Sequence, residues 1–269
     1  MPTVCEMHRV RCSGRGERAI VFAHGLGCDQ HVWRFVAPAF EASHRVVLFD
    51  HVGASGVDPS AFDAERHATL HGYAADLLAI CDELELDRPV FVGHSVSATI
   101  GVLAAAAEPT RFSHLVLLAP SPRFLDEPPS YVGGFSSDDI AELLRAMDAN
   151  YVSWAGWVGT AAMANADRPE LAAELTARFC SSDAALTRHL ARLTFTSDHR
   201  ADLARAEVDA LVVQCARDAL APVEVGRYVA AHLPRATLRI LDVEGHCPHI
   251  SHPAETVAVI QRHLSEQRA

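Results

Sequence analysis

Short apolar runs recur along this chain, spaced so that a helix fits between each pair. Ala19–His24 (AIVFAH), Arg45–Asp50 (RVVLFD), Pro89–Gly93 (PVFVG), His114–Ala119 (HLVLLA) and Ala210–Cys215 (ALVVQC) are continuous rather than alternating, and Thr237–Val243 (TLRILDV) is read with them. Continuous runs of this length are expected of parallel strands buried on both faces. Between them the apolar spacing becomes helical. Gly72–Leu86 puts Tyr73, Leu77, Ile80 and Leu84 on one stripe, and the Ala-rich Ser95–Glu108 is stopped by Pro109. Pro222–His232 opens with proline at the first helical position, and Pro253–Leu264 is the last such segment. This alternation predicts the α/β class, with a mostly parallel central sheet and helices on both faces.

One stretch breaks the rhythm. From about Arg123 to His199 no strand pattern is found. Helical stripes replace it: Leu143, Met147, Tyr151 and Trp154, then Leu171, Leu175 and Phe179, then Leu186, Leu190 and Leu193. The turn clusters DEPPS, NADRP and SSD separate them. The expectation is an α/β core of residues 1–122 and 200–269, with 123–199 inserted as a helical cap (lid) over one end of the sheet.

Composition narrows the function classes. A chain of 269 residues, 49% hydrophobic and 21% charged, is long enough to bury its own core without a metal or disulfide staple. A formal net charge of −11, with no Lys/Arg run, argues against nucleic-acid binding. The cysteines at 5, 12, 28, 81, 180, 215 and 247 are odd in number and unpaired in spacing, which argues against a disulfide framework. The first residues, MPTVCEMHRVRC, hold no apolar targeting core, and no run reaches the ~18 residues of a membrane helix. A cytoplasmic protein without a membrane partner is expected.

The strongest chemical signal is VFVGHSVSATIG, Val90 to Gly101. A buried strand runs into Gly93-His94-Ser95-Val96-Ser97 and a helix follows at once, the context a G-x-S-x-G nucleophile elbow requires. The turn is so tight that the residues two before and two after the serine must be small. Gly93 meets this fully, and Ser97 stands in for the second glycine. A serine hydroxyl needs a base within hydrogen-bond reach. In such folds the order along the chain is serine, acid, histidine. His246, in VEGHCPH after the last strand, is the candidate base, and Gly245 permits the sharp turn before it. Asp218, in QCARD after the preceding strand, is the candidate acid that would orient it. Asp242 and Glu244 are rivals on the strand–loop segment of His246 itself, from which reach across the top of the sheet is poor, and Asp198 and Asp202 are rivals where the cap rejoins the core. His246, His249 and His252 also form an H-x-x-H-x-x-H series, but Pro248 and Pro253 interrupt helical geometry and no partner set is evident. No metal or other cofactor is expected; His249 and His252 are read as hydrogen-bonded loop histidines and Cys247 as a small packing residue. For the oxyanion hole, one N–H is expected from Val96 and a second from Leu26 in FAHGLGCDQ, where Gly25 and Gly27 let the backbone turn inward and the Leu26 side chain walls the pocket.

These segments together resemble the α/β-hydrolases of the RsbQ type, bacterial stress-signalling regulators, and their plant relatives, the strigolactone and karrikin receptors. The resemblance runs through HGLGCDQHVWRFVAPAF, LFDHVGASG, VFVGHSVSATIG, GGF, RFCSSD, TSDHR, QCARDALAP and GHCPHISHP. It implies the α/β-hydrolase fold, a Ser95–Asp218–His246 triad, an oxyanion hole at Leu26 and Val96, and a four-helix V-shaped cap. It also implies a deep apolar pocket for a small hydrophobic ester or lactone, with Phe124, Phe135, Trp154, Val158 and Phe195 as pocket residues by position. Leu26 stands where this family usually has Phe, and Val158 where the karrikin receptors have Phe, so ligand identity does not carry over. The expected function is a serine hydrolase of small hydrophobic esters or lactones working through an acyl-enzyme. The alternative is a slow-turnover ligand sensor of RsbQ type acting on a PAS-domain signalling phosphatase.

Overall fold

The computed structural model describes residues 2–266. Six parallel strands form the body of one sheet: β2 (Arg18–Ala23), β3 (His44–Phe49), β4 (Val90–His94), β5 (His114–Leu118), β6 (Asp209–Arg217) and β7 (Ala236–Glu244). A short β1 (Arg11–Ser13) pairs antiparallel with β3, and the spatial order is β1-β3-β2-β4-β5-β6-β7. The chain winds outward from β2 through β3, then returns to place β4 on the other side of β2. The order therefore reverses between β2 and β4. In open α/β sheets that reversal opens a crevice beyond the carboxyl ends of the strands, where ligands bind.

Strand residues alternate between two buried apolar layers. Ile20, Phe22, Val90, Val92, Val116 and Val213 face one layer with Trp33 and Ile260. Val21, Phe91, Leu115, Leu117 and Val212 face the other with residues of α2 (Leu70–Glu83), α3 (Val96–Ala107) and α8 (Val223–His232). Ile260 belongs to α10 (Pro253–Glu266), which follows the short α9 (Pro248–Ser251); α1 (Val4–Met7) precedes β1. Burial of both faces explains why the strands read as unbroken apolar runs.

The structure differs from the pattern reading in four places. β1 has three exposed residues and carries no periodic signal. β7 was read as a doubly buried strand, but it is an edge strand with Arg239 and Ile240 exposed. The stripe Leu143, Met147, Tyr151, Trp154 spans two helices, α4 (Ser137–Ala149) and α5 (Tyr151–Met163). The break is at Asn150, an N-cap whose side chain accepts from the Ser153 N–H, and the two helices happen to stay in phase across it. Pro222 is the N-cap of α8 rather than its first helical residue.

Helices α4, α5, α6 (Pro169–Ser181) and α7 (Ala184–Thr196) all lie between β5 and β6. They bury Trp154, Val158, Phe179 and Phe195 in the same apolar layer as Phe22, Val92 and Trp33. The cysteines are unpaired; Cys28, Cys81, Cys215 and Cys247 are buried, whereas Cys12 and Cys180 are exposed. Among the described residues, no helix is long and apolar enough to cross a membrane.

Candidate active site

Ser95 sits between β4 and α3 at φ 56, ψ −122. A side chain at positive φ is costly, and such strain persists only where the surroundings over-determine it. Here β4 drives straight into α3, and the Ser95 N–H is tied to the Leu118 carbonyl of the neighbouring strand at 2.9 Å. The small flanks are needed: a Cβ on Gly93 would lie 2.5 Å from the Ser97 carbonyl oxygen. The hydroxyl is thereby presented above the carboxyl edge of the sheet, at the N-terminus of α3.

The structure brings the three distant residues together. The Ser95 hydroxyl lies 2.8 Å from His246 Nε2, and His246 Nδ1 lies 2.7 Å from Asp218 Oδ2. The carboxylate accepts from Nδ1–H, which leaves the Nε2 lone pair to accept from the serine. Asp218 is itself held: its Oδ1 accepts from the N–H groups of Leu220 and Ala221 at 2.9 and 3.0 Å. All three side chains are buried or nearly so. The rival acids are engaged elsewhere. Asp242 pairs with Arg217, Glu244 with Arg217, Asp198 with Arg123 and Arg200, and Asp202 with His199 and Arg205.

Leu26 lines the chamber around Ser95, and Val96 opens α3 immediately beyond it. The loop after β2 is tied to α3 by a contact the sequence did not advertise. Ser97 Oγ donates to the His24 carbonyl at 2.5 Å and accepts from His51 Nε2–H at 2.7 Å. His51 N–H in turn donates to His24 Nε2 at 3.1 Å. Burial, reinforced by His24, His8 and His67, holds the His51 imidazole well below the usual histidine range, so it stays neutral. The hydroxyl that replaces the second elbow glycine is thus fully used.

The chamber around Ser95 and His246 is lined by Leu26, Phe124, Val158, Phe179, Phe195 and Leu220, among others, and its free volume is about 40 Å³. That is far below the roughly 300 Å³ or more of an ordinary small-ligand pocket. Phe124, Val158 and Phe195 therefore border it as their positions implied. Phe135 and Trp154 do not: they line a separate open groove of about 750 Å³ between α4 and α5, with Leu143 and Trp157. The Phe135 ring packs on Phe124 and Phe195 from the outer side, at 6.2 and 6.3 Å between centroids. Phe179 and Leu220 were missed because a helical stripe shows which side chains are buried, not which void they meet.

Cys28 and Cys247 also border the chamber. Burial pushes the Cys28 thiol up to about 12 and the Cys247 thiol well above its usual value, so neither supplies a thiolate to compete with Ser95. His249 is not the hydrogen-bonded loop histidine expected from sequence. It lies on α9, fully buried, with neither ring nitrogen hydrogen-bonded. Its ring packs 4.5 Å from Trp33 and 4.4 Å from His94, and burial lowers its pKa to about 3. His252 does find a partner, the Ser251 hydroxyl. No cluster of His, Cys, Asp and Glu among the described residues could hold a metal ion.

With this geometry in hand, likeness to known proteins has a physical meaning. The Alpha/beta hydrolase family model matches residues 20–259, a span that takes in the elbow, Asp218 and His246. The chain belongs to the alpha/beta hydrolase family. It is 38% identical to the strigolactone esterase RMS3 of Pisum sativum over 264 residues, covering 98% of each chain. It is likewise 38% identical to the karrikin insensitive 2 receptor IA of Petunia hybrida, covering 95% of this chain and 93% of that one. A solved structure of a hydrolase from Oleispira antarctica superposes with a TM-score of 0.95 at 37% identity, covering 97% and 96% of the two chains. Seven-stranded sheet, helices on both faces and helical insertion are therefore features of an alpha/beta hydrolase.

Proposed function

We propose that this chain is a serine hydrolase of small hydrophobic esters or lactones, with residues 1–122 and 200–269 as core, of which residues 1 and 267–269 lie outside the described residues, and 123–199 as cap. The observation that carries the reading is the unbroken chain of short contacts from the Ser95 hydroxyl through His246 to Asp218, with the serine held at an elbow of positive φ. In the first step Ser95 Oγ bonds to the substrate carbonyl carbon while its proton passes to His246 Nε2. Asp218 stabilises the imidazolium and keeps Nδ1 protonated. The carbonyl oxygen, now negative, is received by the N–H groups of Leu26 and Val96. The C–O bond then breaks and His246 returns its proton to the departing oxygen, which in a lactone remains tethered to the acyl group. A water molecule, deprotonated by His246, releases the acid and restores the serine. The apolar lining supports a substrate with little charge.

Replacing Ser95 by Ala is expected to lower kcat for a short-chain p-nitrophenyl ester by about a thousandfold or more. Equal rates for the two proteins would remove Ser95 from the reaction.

A second reading is favoured by the small chamber and by relatives named as receptors. In it, this protein turns over slowly and acts as a ligand sensor of RsbQ type on a PAS-domain signalling phosphatase. A burst of p-nitrophenol followed by a slow steady state supports that reading. Rapid multiple turnover by the isolated protein counts against it.

A further inference from the structure

The end of α5 and the turn that joins it to α6, residues 162–168, touch the loop that carries His246 as well as, through Ala162, the substrate chamber. The carbonyls at the end of an α-helix have no partner within it and must find one elsewhere. In α5, the Ala162 carbonyl accepts from the backbone N–H of His246 itself, at 2.6 Å. The Met163 carbonyl accepts from the side-chain amide of Asn165, which also donates to the Glu244 carbonyl at 3.3 Å. Arg168 donates to Asn165 Oδ1 and, through Nη1, to the Ser251 carbonyl at 2.7 Å. The α5 carbonyls reach the loop because the chain reverses at Ala164 and Asn165, both at positive φ. The approach leaves no room at Gly245, which has φ +89 and where a Cβ would lie 2.4 Å from the Met163 carbonyl oxygen.

We infer that Asn165 and Arg168 are positioning residues for His246, forming with Ala162 a clasp by which the helical insertion sets where that imidazole stands. The inference rests on the proposed hydrolase reading and deepens it. Helix α5 has two roles at once: Val158 and Ala162 border the chamber, and the same Ala162 offers its carbonyl to the His246 backbone. From the other side His94 Nε2 donates to the His246 carbonyl at 2.9 Å, and the Gly245 N–H is tied to the Arg217 carbonyl. The base is thus suspended between core and insertion. With so little free space beside Ser95, a bound acyl group presses on α5, and the clasp passes that displacement to the imidazole.

The test uses the full chain with Asn165→Asp, which keeps shape but removes both donors, together with Arg168→Ala and Arg168→Lys. Each is measured for kcat and KM with a p-nitrophenyl ester, for the low-field proton resonance of the His246–Asp218 hydrogen bond, and for thermal midpoint. Asn165→Asp and Arg168→Ala are expected to lower kcat about 10- to 100-fold, since small misplacements of a reacting group cost on this scale. KM should move less than about threefold, the resonance should shift or broaden, and Arg168→Lys should recover part of the loss. An unshifted resonance with unchanged kcat, or a loss confined to KM, would reduce the clasp to a mere anchor for the insertion. Should Arg168→Ala fail to fold, Asn165→Asp carries the same test. If wild type and Ser95→Ala hydrolyse the ester equally, the hydrolase reading fails, while the resonance still decides whether the clasp positions His246.

Discussion

Ser95 and His246 meet at 2.8 Å but are held there by opposite means. Ser95 is built from inside the sheet. Its elbow lies between a buried central strand and a buried helix, and its N–H is bonded to the adjacent strand. Everything that places it is core. His246 follows an edge strand, in a loop bonded to His94 and Arg217 on the core side and to Ala162 and Asn165 on the insertion side. Ser95 is therefore placed by local chain geometry, whereas His246 takes its position from contacts on two sides.

The contrast can be broken in several ways. The largest effect is expected from Asp218→Asn, which keeps the shape of the side chain but favours the wrong His246 tautomer. By analogy with known serine hydrolases kcat should fall on the order of 10⁴-fold. Stopped assays with a p-nitrophenyl ester measure it, and a loss under tenfold would mean that His246 is oriented by the loop clasp instead. A smaller effect is expected from His249, whose ring packs against Trp33 and His94 on the core side. With a native pKa of about 3, the folded state does not take up the proton that the unfolded chain binds below the ordinary histidine value of about 6.5. Stability therefore falls as pH drops from about 6.5 toward 3, at about 1.4 kcal/mol per pH unit for this group. Urea unfolding at several pH values should show that slope reduced by about this amount in His249→Phe, and an unaltered slope would mean that the imidazole is hydrated in solution. The smallest effect is expected from Ser97→Ala, which cuts the tie from α3 to the His24 carbonyl and to His51. Loss of a neutral hydrogen bond of this kind costs about 1 kcal/mol, so kcat should drop roughly fivefold with KM little changed. No change would show that the loop bearing Leu26 is held by packing alone.

The elbow was legible in the sequence because every constraint on it is local. A buried strand, small residues two positions either side of a serine and an Ala-rich helix are adjacent in the chain. Asp218 and His246 were legible because each closes a strand and their order is set by the winding of the sheet. The Asn150 break between α4 and α5 was hidden, since the apolar stripe stays in phase across it. β1 was hidden because three exposed residues carry no period. Phe135 and Trp154 share the apolar character of Phe124 and Phe195, and nothing in residue type tells a chamber wall from the wall of an outer groove.

The sequence by itself determined the α/β alternation and which serine stands at the turn from a buried strand into its helix, because apolar periodicity and turn chemistry are properties of neighbouring residues. Only the tertiary structure decided how little room lies beside that serine and how the insertion holds His246. The ties from Ala162 to His246 and from Asn165 to Glu244 end on backbone groups, which every residue possesses. Such bonds leave no mark in the order of the amino acids.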